Sequence, residues 1–300
     1  MLFSKDKTVP LKAAMALLIV ADHLTFQVNL AWLRPFRELG APIVSVFFFI
    51  SGYGLMKSVQ AKGICYLDGF WKKRIWSVIL PSLIALAFYY FLTWQPRDYL
   101  NDIKLLFTKG CPLLPLSWFV EVIVLEYIGF WAAFKFLPTK GKLPAIWLWS
   151  AFLIFISIKL GYARCWWVCT LAFPTGSTYA RCEHELTMKA GIFGVAISAL
   201  LALILFLTGN EFCYIAAYIF IPVFVALAAS LLPVERLNCK VVGFLSLISY
   251  EIYLCQGIAM ECLHGHFICI SNSYLYIAAV YALTILLAWF THRLANKLQH

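Results

Sequence analysis

The chain contains few charged residues for its length. Only 13% of its 300 residues are Asp, Glu, Lys or Arg, whereas a typical soluble domain has roughly 25%. Hydrophobic residues make up 63% of the chain and aromatic residues 17%. This composition leaves too little polar surface to cover a protein of this size in water. It excludes a soluble globular protein, a disordered chain and a small disulfide-rich domain, so an integral membrane protein remains.

Several local signals are also missing. No small-residue cleavage site follows the first apolar run, which begins at Leu11 and continues past Asp22, so we interpret this run as a retained span rather than a signal peptide. The ten cysteines lack the spacing of zinc ligands, and we expect no metal site. Because no internal repeat and no appended soluble domain is visible, we expect a single transmembrane domain over residues 1–300.

Long apolar runs dominate the rest of the sequence. A spanning helix needs about 20 apolar residues, and runs separated by charges or by Pro and Gly clusters indicate ten spans. The predicted fold is therefore an all-α bundle of about ten transmembrane helices. Residues Pro174 to Ser177 interrupt the sixth run, where we expect a broken or half-inserted helix. The predicted spans are residues 11–31, 40–58, 75–94, 117–135, 144–160, 165–180, 190–208, 213–232, 242–263 and 274–291.

The basic residues predict the orientation of these spans. The net charge of +10 would suggest a nucleic-acid partner for a soluble protein, but cytoplasmic ends of membrane helices also collect Lys and Arg. With ten spans, 17 of the 24 Lys and Arg residues fall on the side of the N-terminus and 7 on the other side. Both termini are therefore predicted to be cytoplasmic, and we expect no nucleic-acid partner.

The first predicted span contains a cation and an imidazole on one face. Lys12 and His23 are eleven residues apart, which is three helical turns plus about 20° and a rise of about 16 Å. Gln27 would continue the same stripe. This arrangement suits a substrate tunnel, although a Lys that anchors the helix and a His that bonds a neighbouring helix also explain it. Asp22 points about 100° away from His23, so we expect it to pair with another helix or to be protonated.

The second span contains a glycine motif, and a cluster of cations precedes the third. In the second span, Ser51 and Tyr53 alternate with two glycines that permit close helix packing, and packing alone explains the motif.

Before the third span, Lys72, Lys73 and Arg74 follow an aromatic pair. These cations suit the phosphates of a nucleotide-like ligand, and they suit anionic lipid headgroups equally well.

Two later spans carry polar groups that are costly inside a membrane. An aromatic pair that opens the fourth span can anchor a helix end at the interface, and a carboxylate follows it. The ninth span has a polar stripe at positions i, i+4 and i+7, which interhelical hydrogen bonding explains about as well as a binding site. In that stripe, Ser249 precedes Tyr253 and Gln256. The candidate site-lining residues are Ser51 and Tyr53 of the second span and Trp118, Glu121, Glu251, Tyr253 and Gln256 of these two spans.

Taken in order, these motifs resemble the acyltransferase-3 family of bacterial multi-pass membrane O-acyltransferases. That family has a basic residue and a His separated by ten residues, an F-F-x-x-S-G-Y segment, an F-x-x-K/R-R junction that leads to a proline, a W-F pair and a late S-x-E-I-Y-L-x-H segment. The corresponding residues here are Lys12 and His23, Phe47 to Tyr53, Phe70 to Arg74 with Pro81, Trp118 and Phe119, and Ser249 to Gln256. The stretch from Trp166 to Gly176 also resembles the family.

The chain departs from the family pattern at three positions. The usual first-span Arg is Lys12, which lacks the bidentate fork of a guanidinium group. A second Arg expected beyond the cytoplasmic junction is absent, and Trp76 and Ser77 stand in its place. The late His is Gln256, so this position cannot titrate.

The resemblance implies a plasma-membrane enzyme with no bound cofactor. It implies transfer of an acyl group, usually acetyl, from cytoplasmic acyl-CoA (acetyl-CoA) to a hydroxyl of a cell-surface glycan or lipid-linked sugar, with membrane lipids as the surroundings. His23 becomes the predicted catalytic residue, either as a general base or as a covalent carrier of the acyl group. Lys12, Lys72, Lys73 and Arg74 become predicted contacts of the donor phosphates.

Two other functions remain open from the sequence. A proton-coupled transporter or flippase would also use intramembrane His and carboxylate groups, although such proteins often show inverted repeats and paired broken helices, and only one interrupted segment is visible here. A glycan-assembly partner without catalytic activity is the other alternative, and Lys12 and Gln256 are the features that favour it.

Overall fold

The computed structural model describes residues 3–93, 98–264 and 268–299. Within these ranges the regular structure is helical, with short 3₁₀ turns and no strand longer than an isolated bridge. The helices are α1 (Lys5–Leu24), α2 (Gly40–Lys62), α3 (Phe70–Thr93), α4 (Tyr99–Lys109), α5 (Trp118–Phe136), α6 (Thr139–Lys159), α7 (Cys165–Val168), α8 (Ala172–Cys182), α9 (Met188–Leu207), α10 (Glu211–Leu231), α11 (Lys240–Leu247), α12 (Ser249–Leu263) and α13 (Ser273–Gln299).

The described helices confirm an all-α multi-pass membrane protein. Six of them, α2, α3, α6, α9, α10 and α13, are long and apolar enough to cross a membrane, and the bent pair α11 and α12 gives a seventh if it counts as one span. Helices α1 and α5 have 20 and 19 residues, which is enough length, but they carry charged residues among their apolar ones. The count of ten spans and the cytoplasmic termini stay predictions.

The first predicted span ends earlier than expected. Helix α1 stops at Leu24, where the hydroxyl of Thr25 donates a hydrogen bond to the carbonyl oxygen of Asp22 at 2.6 Å. This local bond competes with continuation of the helix. Gln27 therefore lies in an exposed turn beyond α1, and the prediction that it extends the stripe of Lys12 and His23 is wrong.

The interrupted sixth run is broken, but not where the prolines and glycines predict. Helix α7 ends at Val168 and α8 begins at Ala172, so the break precedes Pro174. Pro174 to Ser177 lie inside α8. Pro174 occupies the first turn of α8, where its missing N–H removes no helical hydrogen bond.

Two other spans also contain local irregularities. In α3 a π-helical turn covers Ile75–Ile79, just before Pro81, and such bulges are a common way to accommodate a break in the hydrogen-bond ladder. The ninth predicted span consists of two helices that bend by 70° near Ile248. There the hydroxyl of Ser249 donates to the carbonyl oxygen of Ser246 at 2.9 Å, which again competes with the helical pattern.

The chain forms two compact units. The first unit contains Met1–Leu11, Ala41–Phe70 and Val122–Cys239, and in it α9 packs along α10 while α8 packs against α6 and α10. The second unit contains Lys12–Gly40, Trp71–Glu121 and Lys240–His300. Its α12 packs against α3 and α13, and α1 shares an apolar core with α12 and α13. This core fixes the part of α1 that carries His23.

Candidate functional site

The second unit brings the first-span and late-span motifs together. His23 lies in the last turn of α1, and its side chain is only 14% exposed. Gln256 lies on α12 and is fully buried. The side chain of Gln256 is close enough to the imidazole of His23 to interact with it electrostatically. Two motifs that the sequence shows separately are therefore neighbours in the folded unit.

Two buried polar atoms at this point have no partner of good hydrogen-bond geometry among the described residues. They are Nδ1 of His23 and Oε1 of Gln256. The other end of the amide is fixed, because Nε2 of Gln256 donates to the carbonyl oxygen of Tyr253 at 3.2 Å. Buried polar groups in native proteins are nearly always paired. Among the described residues, these two atoms therefore remain available to a further hydrogen-bonding group.

The first turn of α5 contacts α12, the helix that carries Gln256. The backbone N–H of Phe119 donates to the hydroxyl of Tyr253 at 3.4 Å, and their rings meet edge to face with centroids 5.6 Å apart. A Cβ at Gly257 would lie 2.8 Å from the carbonyl oxygen of Pro115, so α12 passes close to the segment that precedes α5. The W-F motif therefore packs against the face of α12 that carries Tyr253.

Trp118 and Glu121 lie on the first turn of α5, in the same unit. The indole of Trp118 is half-buried, and one carboxylate oxygen of Glu121, Oε2, is buried without a hydrogen-bond partner among the described residues. Glu121 is thus one of several buried groups of this unit, with Gln256, Glu251 and Thr284, that have an oxygen without a hydrogen-bond partner among the described residues. Its assignment as a site-lining residue stays a prediction.

Asp22 does not orient the imidazole. The distance from its Oδ2 to Nε2 of His23 is 3.9 Å, which is too long for a hydrogen bond. Its Oδ1 instead accepts a hydrogen bond from the backbone N–H of Gly40 at 3.1 Å, at the start of α2. A Cβ at Gly40 would lie 2.6 Å from Oδ2 of Asp22. As helical geometry predicts, Asp22 pairs with another helix.

The predicted donor contacts lie in the same unit as His23. Lys12 is half-buried in the first half of α1, while Lys72 and Lys73 are exposed and Arg74 is half-buried in the first turns of α3. The position of the α3 cations at the beginning of a long apolar helix is compatible with a site for phosphates and with an interface anchor. Their role as donor contacts stays a prediction.

Ser51 belongs to the first unit, in a motif that packs two helices. A Cβ at Gly52 would collide with the carbonyl oxygen of Phe173, and a Cβ at Gly176 would collide with the carbonyl oxygen of Phe49. The backbones of α2 and α8 therefore touch at two reciprocal points. Ser51 is half-buried beside this crossing. The F-F-x-x-S-G-Y segment and the stretch around Pro174 thus serve one packing contact.

Tyr53 forms part of a buried network that sequence reasoning missed. Its hydroxyl lies 2.7 Å from the carbonyl oxygen of Phe3 and 3.0 Å from both carboxylate oxygens of Glu183. Glu183 has no exposed surface, and it also accepts from the backbone N–H of Phe3 at 3.3 Å and from Nζ of Lys57 at 2.7 Å. Glu183 begins a short 3₁₀ turn after α8, and its partners are far away in sequence. No local pattern identifies it.

Glu251 points to α13 rather than to His23. Its Oε1 lies 2.8 Å from Nδ1 of His292, and Nε2 of His292 lies 3.0 Å from the amide nitrogen of Asn296. Glu251 is five residues before Gln256, which places the two on different faces of α12. His292 and Asn296 were also missed from the sequence. Their one-turn spacing on α13 is the only signal for them.

Comparison with known proteins identifies a family. No curated protein and no solved structure matches the chain. A family model described as an acyltransferase domain matches residues 11–293, which is essentially the whole chain. The matched range includes both the α1 residue His23 and the α12 residue Gln256. The chain therefore belongs to the acyltransferase-3 family of membrane acyltransferases.

Proposed function

We propose that the chain is a plasma-membrane O-acyltransferase. It transfers an acyl group, in the simplest case acetyl, from acyl-CoA to a hydroxyl of a cell-surface glycan or a lipid-linked sugar. Family membership supports the reaction class. The observation that carries the site assignment is the buried pair of His23 and Gln256, in which one imidazole nitrogen and one amide oxygen remain unsatisfied among the described residues.

His23 is the group of this pair that can move a proton. A neutral imidazole has one nitrogen that accepts a proton, whereas the amide of Gln256 does not titrate. In the base mechanism, the acceptor hydroxyl gives its proton to His23 while its oxygen bonds to the carbonyl carbon of the thioester. The C–S bond then breaks, and the imidazolium returns the proton to the leaving thiolate. Oε1 of Gln256 can accept a hydrogen bond from the reacting group.

A covalent mechanism would use the same nitrogen. The imidazole would attack the thioester carbonyl, the C–S bond would break, and the CoA thiolate would leave with a proton from the imidazole. The sugar hydroxyl would then take the acyl group and return its proton to the imidazole. The two mechanisms differ in whether the protein itself becomes labelled. Rapid denaturation at neutral pH, after incubation with radiolabelled acetyl-CoA and no acceptor, preserves an acyl-His intermediate as label on the chain. His23→Gln removes that label in the covalent case.

The test of the proposed function is acetyl transfer by membranes that contain the chain. Radiolabelled acetyl-CoA is added, and label in the glycan fraction is measured for the wild type and for His23→Gln. Loss of a general base typically lowers the rate about 10²–10⁴-fold, and we expect that loss at unchanged expression. His184→Gln is the matched control, because His184 is largely exposed in a short 3₁₀ turn of the first unit. Near-normal transfer by His23→Gln would show that the imidazole has only a structural role.

A further inference from the structure

We infer that a cleft in the first unit binds a phosphate ester. The cleft has a volume of about 520 Å³, which is within the range of about 300–1,000 Å³ typical of small-molecule sites. It lies between the beginning of α1 and one face of α2, and Glu183 closes one wall. All of its lining residues belong to the first unit, and His23 is not among them. The alternative in which the ligand is the nucleotide portion of CoA rests on the proposed function.

The charges on the cleft favour an anion. Lys5, Lys57 and Lys62 line it, and Glu183 is the one carboxylate among the described lining residues. Lys57 is engaged by Glu183 at 2.7 Å, so the charge of that carboxylate is already balanced. Lys5 and Lys62 are exposed and form no ion pair with a described residue. Within the described part of the chain, two cations therefore remain without counter-charge at the mouth of the cleft.

The wall of the cleft is held in place before any ligand binds. Glu183 is fully buried and receives hydrogen bonds from the backbone N–H of Phe3, from Lys57 and from the hydroxyl of Tyr53. Nζ of Lys57 also lies 6.0 Å from the ring centre of Tyr53. These contacts tie the start of α1 to α2 and fix the direction of the Lys57 ammonium group. A wall that is fixed in advance loses less conformational entropy when a ligand binds against it.

The positions of the lysines along α2 point to the same cleft. Gly54, Lys57, Ser58, Ala61 and Lys62 follow the spacing of one helical face. A Cβ at Gly54 would meet no described atom within 4 Å, so this face of α2 is open. An ammonium group from α1 and two from α2 thus approach the cleft from two helices.

A phosphate ester fits this arrangement better than a single carboxylate. A phosphate group has several anionic oxygens that separate ammonium groups can share, and Lys is a common phosphate ligand that acts as a point charge. Apolar contact from Phe3, Ile50 and Ala61 is available to the organic part of the ligand. The same chemistry is found in a nucleotide such as the 3′,5′-ADP portion of CoA and in the headgroup of an anionic phospholipid.

The test measures binding of both kinds of phosphate ester to the full chain purified in a neutral detergent. The probes are 3′,5′-ADP and short-chain phosphatidylglycerol, and native mass spectrometry or calorimetry reports their affinities. In the double variant Lys5→Met with Lys62→Met, we expect at least about tenfold weaker binding of the probe that the cleft prefers. Tight binding of the nucleotide alone assigns a nucleotide ligand, and tight binding of the lipid alone assigns a headgroup site.

Two comparisons separate loss of the binding site from a general loss of positive charge and from unfolding. Lys140→Met with Lys189→Met removes the same charge from exposed positions of the same unit, and we expect it to leave the affinity unchanged. Lys5 and Lys62 have no ion pair with a described residue to lose, so their replacement leaves the fold intact, whereas Lys57→Met would leave the buried Glu183 without its cation. Failure of both probes to bind, or equal affinity in the two double variants, would overturn the inference.

Discussion

Asp22 and His23 are adjacent on α1, but their side chains serve different purposes. Asp22 accepts the backbone N–H of Gly40 at the start of α2, so it acts as a cap between helices. We predict that Asp22→Asn keeps acetyl transfer near normal, since the amide oxygen can still accept this bond. Asp22→Ala should lower the stability by about 0.5–2 kcal/mol, as for a lost helix cap. Thermal unfolding in detergent and transfer per folded molecule measure the two effects.

A loss of transfer in Asp22→Asn without a loss of stability would contradict this assignment. If Asp22→Asn unfolds at the wild-type temperature but transfers no acetyl, its charge acts on the imidazole across the 3.9 Å that separates them. The assignment of Asp22 as a cap would then be incomplete. The transfer rate of the single variant His23→Gln, measured in the same membranes, gives the rate expected when the base is lost completely.

At the scale of single residues, the sequence identifies members of a site better than their partners. His23 and Gln256 are both recognisable from their motifs, whereas their proximity depends on packing of α1 against α12. Glu183 bonds Tyr53 from 130 residues away, and His292 bonds Glu251 from 41 residues away. Such pairs arise from tertiary structure alone, so no spacing in the sequence predicts them.

At the scale of helices, the crossing of α2 and α8 gives the sharpest prediction. Gly52→Ala and Gly176→Ala each place a methyl group against a backbone carbonyl of the opposite helix, and overpacking of this kind costs about 1–3 kcal/mol or more. We expect both variants to give less folded protein and a lower Tm. Gly54→Ala is the matched control from the same motif, because a Cβ there meets no described atom within 4 Å.

Size-exclusion chromatography of detergent extracts and thermal unfolding check this prediction. Gly54→Ala should behave as the wild type or be slightly more stable, since Ala has the higher helix propensity. If all three alanine variants are equally stable, α2 and α8 do not touch at these glycines. If Gly52→Ala loses transfer but keeps the wild-type stability, the glycine motif has a role in the reaction and not only in helix packing.

Helix existence was easier to predict from the sequence than helix breaks. Long apolar runs determine where a span can form, and they located α2, α6, α9, α10 and α13 closely. Breaks depend on local hydrogen bonds. The turn after α1 and the bend before α12 involve Thr25 and Ser249 hydroxyls that bond backbone carbonyls, while Pro174, the expected breaker, fits the first turn of α8.

At the scale of the whole molecule, the number of apolar helices determines whether the two termini lie on the same side of the membrane. Seven crossings follow from length and hydropathy in the described residues if the bent pair α11 and α12 counts as one. Helices α1 and α5 have the required length but bear charged residues, and α7 with α8 forms one broken segment. If all three also cross the membrane, the total reaches the ten spans that the sequence predicts. An even number places the two termini on the same side.

The last prediction tests this topology directly. Reporter fusions are made after Asn210, which caps the start of α10, after Lys140 near the start of α6, and after the C-terminal His300, which lies outside the described residues. Alkaline phosphatase is active only outside the cytoplasm, and green fluorescent protein in this setting fluoresces only inside it. With ten spans and a cytoplasmic N-terminus, the fusions at Lys140 and His300 should fluoresce, and the fusion at Asn210 should show phosphatase activity. Because 17 of the 24 basic residues lie on the predicted cytoplasmic side, the positive-inside rule favours this orientation. The same reporter response at Asn210 and His300 would contradict the alternation of ten spans.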